Sequence, residues 1–484
     1  VANLVLLAVC AHYGVIKIDE GWYVVSARFA MHGRVPYGDY AWTQGPLLPY
    51  VLAPFEAIAP GLTSARAVVA VAAGIGFVVT IVNAKRLGGN RAALLTGAFL
   101  ICLAPTLQYW LAVVKTYGLA SLFLAGTVAA LTAPRRWRPR LPLAVACAVL
   151  FACTRTSGVP MAVFVFAYAV ATARHRVERL LVAGVAAVLA LPVAVLLVAG
   201  GHRSVFDLVW YHSTRYWTDP SVSSPVHRLR QALGAWPFAT LLSAGAVVVV
   251  AATPSARRRV RAHGEILVLA AGMLGFVAVH IASGAFQATE YLSPLVPSAV
   301  MLATVVLVTA GAHVVLVRAT VASAFVVALL LTPRAQFLVS NGSPAATEAL
   351  ARCIQAHSDA DDRVFALMML DAVPAAHREP LPELSLGVFS YEDVATDVAN
   401  DEHLLNPELA HAAIADPQTS LVVLSNVDRE LLARGGWFSN RPVNRAPIDA
   451  VLASDYRPVC DAHLVREWHN IPVDVTVYER NTAN

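Results

Sequence analysis

The chain has 484 residues; 57% are hydrophobic and 14% charged, where soluble domains carry roughly 25% charge. The net charge of +5 is not a nucleic-acid signal, because the arginines stand in short clusters between apolar runs, where membrane topology accounts for them. The charge deficit is confined to residues 1–333, while 334–484 read as a soluble domain, which excludes both an all-soluble protein and a single-domain chain.

In chain order, apolar runs near the length of about 20 residues that a bilayer requires fall at 1–16, 63–84, 92–110, 114–133, 141–156, 159–173, 180–199, 236–253, 265–283, 290–310 and 316–333, about eleven helices in all. The first is short and opens without an initiator Met, as a truncated or processed N-terminus would, and no cleavable signal peptide is evident. Basic clusters occupy alternate loops: Lys85, Arg86 and Arg91; Arg135, Arg136, Arg138 and Arg140; Arg174, Arg176 and Arg179; Arg257, Arg258, Arg259 and Arg261; then Arg318. The bias of Lys and Arg toward the cytoplasm makes those loops internal. Loops 17–62, 104–117, 200–235 and 284–290 are then external, and an odd number of spans puts the tail outside with them.

Loop 17–62 begins with two acids, Asp19 and Glu20, directly after the first apolar run. Residues 20–32 mix Trp22, Tyr23, Phe29 and Met31 with Ser26, Arg28 and His32, the pattern of a short helix lying in the membrane interface and ended by Gly33. Pro36, Gly38, Gly45 and Pro46 then break the chain, and 47–58 read as a second interfacial helix whose regularity Pro49 and Pro54 limit. An acidic pair here has two readings: a solvated helix start that complements the dipole, or a catalytic base at the water–lipid boundary. Asp39, in "YGDY", reads either as a turn residue or as a further acid that binds acceptor or metal.

The stretch "DEGWYVVSARFAMHGRVPYGDY" at 19–40 resembles the first periplasmic loop of the GT-C glycosyltransferases, in particular the protein O-mannosyltransferases and the lipid A aminoarabinose transferases. The family pattern is Asp-Glu after the first helix, an aromatic three residues on, then Ala-Arg and a Gly; Asp19, Glu20, Tyr23, Ala27, Arg28 and Gly33 match it. The likeness in layout covers the whole chain and the motif only about 30 residues. It implies a many-helix bundle in a bacterial cytoplasmic membrane, with its active site and C-terminal α/β domain extracytoplasmic. It implies sugar transfer from a polyprenyl-phosphate-linked donor to a glycan, lipid or protein acceptor. Asp19 is then the catalytic base; Glu20 positions the acceptor or holds Arg28, and Tyr23 and Arg28 lie against substrate. Basic residues that stabilise the leaving phosphate make a metal unnecessary, although Asp19, Glu20 or Asp39 can hold a divalent cation. A single base suits direct displacement with inversion.

The physical account runs in parallel. A sugar on a polyprenyl phosphate keeps its tail in the bilayer and its head at the surface, within reach of a carboxylate at the lip of the first span. Lys115, in "AVVKTYG", and Arg155, in "ACTRTSG", stand near the outer ends of spans, where a charge either serves a cavity or snorkels to the surface. Both are candidate ligands of the lipid phosphate. The family often has an acid near the position of Lys115, a departure in this sequence. Loop 200–235 interleaves His202, Arg203, His212, Arg215, His227, Arg228 and Arg230 with Trp210, Tyr211, Tyr216 and Trp217. The aromatics fit a headgroup-level belt, and Arg203, Arg215 or Arg228 fit phosphate through the guanidinium fork or else anchor a solvated loop. His202, His212 and Asp219 match no closed zinc spacing. "QATEYLSPLVPSAV" at 287–300 resembles a late-helix segment of the same family, which sets Glu290 and Tyr291 toward the Asp19 cavity; a helix-start acid is the plainer reading of Glu290.

In the tail, 344–358 read as an amphipathic helix, "RVFALMML", "SLVVLSN" and "VDVTVYER" as strands, and 406–417 and 446–456 as helices: a small α/β domain. It has no Gly-rich phosphate loop and no metal cluster, so it reads as a cover for the outer cavity or an acceptor-binding module. Cys353 and Cys460, its two cysteines, either pair in an oxidising compartment or remain buried thiols. Membrane glycosyl transfer is therefore the leading expectation. A transporter or flippase of lipid-linked glycans is the alternative, set back by the absence of an internal repeat and by charges gathered at the outer edge rather than the midplane.

Overall fold

The computed structural model describes residues 1–211, 224–254, 256–258, 263–282, 289–310, 321–323, 326, 337–436, 439, 442–467 and 470–481. Helix α1 (Ala2–Tyr13) leads into the two helices of the first loop, α2 (Glu20–Met31) and α3 (Leu47–Ile58). The next element, α4 (Leu62–Cys102), joins two expected spans end to end; it breaks at Gly89, whose φ of 75° only glycine adopts cheaply, inside the cluster Lys85, Arg86 and Arg91. Short α5 (Thr106–Ala112) and α6 (Thr116–Leu131) meet at 100°, and the corner between them carries Lys115. Then follow α7 (Arg140–Thr154), α8 (Val159–Thr172) and α9 (Arg176–Gly200). Helices Pro225–Ala235, Pro237–Ala252, Gly264–Ala282 and Val296–Ala310 come after them.

Protein leaves much of this bundle uncovered. The apolar stretch of α9 is only 6% buried, with Val188, Leu191, Val195 and Val198 exposed, a surface suited to lipid. Among the described residues three helices, α4, α9 and Gly264–Ala282, are long and apolar enough to cross a membrane, or up to five if each bent pair is one span. The described residues therefore do not confirm the expected count of eleven. Apolar runs at α1, α7, α8 and Val296–Ala310 are short of about 20 residues as helices, and the corners before Lys115 and Pro237 bend others. The expected span 316–333 falls almost wholly outside the described residues.

Strands β1 (Arg363–Ala366), β2 (Glu379–Pro380), β3 (Thr419–Ser425), β4 (Tyr456–Arg466) and β5 (Ile471–Arg480) form one mixed sheet in the order β2-β1-β3-β5-β4. β1 runs parallel to β2 and β3, while β3–β5 and β4–β5 are antiparallel. "SLVVLSN" and "VDVTVYER" are strands as expected; "RVFALMML" is a strand only to Ala366, and β4 carries no alternation strong enough to have marked it. Cys353, on helix Pro344–Ala356, is bonded to Cys460 of β4.

The first loop does not lie open in an interface. Every residue of α2 from Glu20 to Phe29 is buried, and α2 shares one hydrophobic core with the sheet while the bundle helices form a second. Gly21 shows how close the approach is: a Cβ there would stand 2.8 Å from the Asp371 backbone nitrogen. Trp22 packs on Phe389 with ring centroids 5.5 Å apart, and the Ser385 hydroxyl donates to the Ala41 carbonyl at 3.1 Å. Trp22, Tyr23 and Phe29, read as the face of an interfacial helix, belong to the core shared with the tail.

Candidate active site

The site is built on the seven residues that follow α1. Gly14 turns the chain out of the helix, and 15–16 run extended: the Val15 N–H donates to the Phe337 carbonyl at 2.7 Å and Ile16 N–H to the Gly342 carbonyl at 2.7 Å. The Glu467 N–H, just past β4, donates to the Ile16 carbonyl at 2.9 Å. Lys17 and Asp19 therefore stand on a short rail held on one side by the tail.

Glu20 fixes the other side. Its carboxylate accepts from Arg66 Nε at 2.8 Å and Nη2 at 2.5 Å, from the Val114 N–H at 2.8 Å and from the Lys17 N–H at 2.8 Å. Arg66, wholly buried on α4, also donates to the carbonyls of Gly14 at 2.7 Å and Val15 at 3.0 Å. One arginine thus closes the C-terminus of α1 and clamps the start of α2.

Between Val114 and α6 the backbone is extended at Lys115, which carries the side chain across to Asp19. Lys115 Nζ lies 2.6 Å from Asp19 Oδ2 and 2.8 Å from Glu290 Oε1. Lys17 Nζ lies 2.5 Å from Glu467 Oε1 and 3.9 Å from Glu290. Both ammoniums stand over the Trp110 ring, at 5.4 and 5.6 Å from its centroid. Burial, and then the neighbouring acids against the pull of Lys17, push the Glu467 carboxyl up. Among the described residues Asp19 Oδ1 is buried without a hydrogen-bond partner.

Arg155 ends α7 in extended backbone, with Nη1 donating to the Thr116 hydroxyl at 3.0 Å and its guanidinium over the rings of Tyr117 and Tyr291, at 4.9 and 5.3 Å. Tyr291 stacks on His280 with centroids 5.5 Å apart. Among the described residues Arg155 has no ion-pair partner, and its Nε is buried without an acceptor. A buried guanidinium without a carboxylate is costly unless an anion completes it. Tyr23 rests edge-on against Trp42, and burial, then the Asp19 charge, push its phenol up to about 12, so it stays a neutral donor.

The structure thus brings together Asp19, Tyr23, Lys115, Arg155, Glu290 and Tyr291. It sets the other expected residues elsewhere. Glu20 is 0% exposed inside the Arg66 clamp and does not hold Arg28. Arg28 points to Glu56 of α3 at 3.7 Å instead. Asp39 Oδ2 accepts from the Val35 N–H at 2.7 Å, as a turn residue does. Arg203 ties loop to tail, donating to the Gly38 carbonyl at 3.1 Å and to the Asp401 carbonyl. Arg215 lies outside the described residues. Three residues enter that the sequence does not single out: Lys17, Arg66 and Glu467. Arg66 had a signal, a charge within an apolar run. Glu467 had none, since nothing local marks the end of β4 as a neighbour of Lys17.

Among the described residues two places bring potential metal ligands together. Ligand atoms of Cys353, His357 and Cys460 lie within 4.8 Å of one another, but the two cysteines are bonded to each other. The point between Asp19 and Glu290 is filled by the Lys115 ammonium.

The helical bundle, the long buried first loop and the C-terminal sheet give the chain a fold shared with a solved structure. The crystal structure of ArnT from Cupriavidus metallidurans bound to undecaprenyl phosphate matches 98% of this chain and 96% of its own, at 15% identity and a TM-score of 0.60. The Archaeoglobus fulgidus oligosaccharyltransferase in complex with Zn and sulfate is similar over 90% of this chain and 70% of its own, at 12% identity and a TM-score of 0.49. No family model and no curated protein matches the sequence.

Proposed function

We propose that the chain is a membrane glycosyltransferase that moves a sugar from a polyprenyl-phosphate-linked donor to a hydroxyl of an extracytoplasmic glycan, lipid or protein, with inversion. The observation that carries this reading is the state of Asp19: one carboxylate oxygen is held by Lys115 at 2.6 Å and the other is buried and, among the described residues, unpartnered. A carboxylate held from one side and bare on the other is poised to accept a proton. In the reaction Asp19 Oδ1 takes the acceptor hydroxyl proton, the acceptor oxygen bonds to the anomeric carbon, and the bond from that carbon to the phosphate oxygen breaks. Polyprenyl phosphate leaves with the bonding pair. Arg155 binds the phosphate, completing its missing ion pair, and Lys17 and Lys115 supply further positive charge where negative charge develops. Tyr23 and Tyr291 line the sugar end.

Residues 1–333 form the catalytic membrane domain and 334–484 an extracytoplasmic domain that closes the site with Glu467. The membrane is the bacterial cytoplasmic membrane. That ArnT was crystallised with undecaprenyl phosphate supports a lipid phosphate as the departing group. The test is incubation of purified protein with polyprenyl-phosphate sugars labelled in the sugar. Transfer releases polyprenyl phosphate and labels an acceptor; a transporter or flippase releases none.

A further inference from the structure

We infer that Lys115 is a built-in cation that takes the place of a divalent metal between Asp19 and Glu290. The two carboxylates approach a common point from different elements, one from the turn before α2 and one from the 3₁₀ turn Thr289–Leu292. A bridging divalent ion requires such a pair of oxygens, and oxygen ligands bind Mg²⁺ at about 2.0–2.1 Å and Ca²⁺ at about 2.3–2.6 Å. Here the Lys115 Nζ stands 2.6 Å from Asp19 Oδ2 and 2.8 Å from Glu290 Oε1, at that point. A metal and an ammonium cannot share it: each excludes the other by volume and by charge.

The surroundings hold the lysine in place. Its backbone is fixed by its own N–H donating to the Val113 carbonyl at 2.7 Å, beside the Val114 N–H that Glu20 holds. Its ammonium lies over the faces of Trp110 and Tyr117, at 5.6 and 5.4 Å. Swinging it away would bury Asp19 and Glu290 with less positive charge, because Lys17 is engaged with Glu467 at 2.5 Å. Among the described residues the point already holds two ammoniums, Lys17 and Lys115, against the carboxylates Asp19, Glu290 and Glu467, with the Arg155 guanidinium beside it. A divalent ion would add two further positive charges there. The inference deepens the proposed function by assigning the cation of the site, but its test is a binding measurement made without substrate, so it can fail or stand apart from that reading.

The test is a titration of the full-length protein with Mn²⁺, read by electron paramagnetic resonance, for the wild type, Asp19→Asn, Lys115→Ala and the double variant. The expected result is no Mn²⁺ site in the wild type that Asp19→Asn removes, and a new site in Lys115→Ala, at least about tenfold tighter than anything in the wild type and lost in the double variant. A wild-type Mn²⁺ site that disappears in Asp19→Asn would overturn the inference, and so would a folded Lys115→Ala protein that gains no site. If Lys115→Ala does not fold, the wild-type and Asp19→Asn titrations still decide whether a metal shares the site.

Discussion

Glu20 and Arg66 form a two-pronged ion pair with neither side chain exposed, Nε to Oε2 at 2.8 Å and Nη2 to Oε1 at 2.5 Å. The pair ties α4 to the start of α2 and so sets where Asp19 stands. Removing one partner of a buried pair costs about 3–5 kcal/mol because the other charge is left unpaired. Arg66→Met and Glu20→Gln are each expected to lower the melting temperature by several degrees or to abolish accumulation, with the double variant less harmed than the sum. A Glu20→Gln protein that melts like the wild type but no longer transfers sugar would instead make Glu20 a substrate-contacting acid.

Arg155 is expected to behave in the opposite way. Having no carboxylate partner among the described residues, it is expected to contribute charge to a ligand rather than to the fold. Arg155→Met should leave the melting temperature unchanged or raise it while weakening polyprenyl phosphate binding by about 10- to 100-fold, the worth of one or two charge-assisted hydrogen bonds. Arg155→Lys should recover part of the binding, since the charge returns without the fork. Equilibrium binding of labelled undecaprenyl phosphate in nanodiscs measures both.

Much of this site was legible in the sequence. Asp19, Tyr23, Lys115, Arg155, Glu290 and Tyr291 stand out as polar or aromatic groups at the ends of apolar runs, and hydropathy shows such positions directly. What hydropathy does not carry is which partner each group meets. Glu20 and Asp19 are neighbours of the same type, and only the position of Arg66, 46 residues on, separates a clamp from a base. Glu467 is reached only when β4 lies against Ile16, a contact between chain ends that no local pattern encodes. The aromatic face of α2 signalled burial correctly but not its partner: lipid and a folded tail look alike to a Trp or a Phe.

A pH dependence follows from Glu56. Burial pushes its carboxyl from 4.5 up to about 7, outweighing the Gly61 N–H and Arg28. The folded protein then holds a proton that the unfolded chain releases, so stability falls as pH rises from 4.5 to about 7 and levels off above. Glu56→Gln cannot ionise and lacks this slope. The melting temperature of Glu56→Gln minus that of the wild type should therefore rise with pH across that window and stay constant beyond it. A difference that falls with pH would mean that the Arg28 pair outweighs burial.

Topology is a separate expectation. Single cysteines placed beside Arg136, Arg176 and Arg258 should react with a membrane-impermeant thiol reagent only after lysis, and cysteines in the tail should react in intact cells, because Lys and Arg are retained on the cytoplasmic side. Tail positions that label only after lysis would move the reaction to the other face.

The central claim is that Asp19 is the base. Asn keeps the size of the side chain and a hydrogen-bonding oxygen but cannot take a proton. Loss of a general base typically costs about 10²–10⁴-fold in rate. The Lys115 contact at 2.6 Å would be weakened as well, so a melting curve serves as the folding control. The measurement is the initial rate of sugar transfer at saturating polyprenyl-phosphate donor, for the wild type and Asp19→Asn. The predicted result is a folded Asp19→Asn protein with a rate lower by about 10²-fold or more. A folded Asp19→Asn protein that keeps more than about half of the wild-type rate would contradict the account, because no such variant can lack its base.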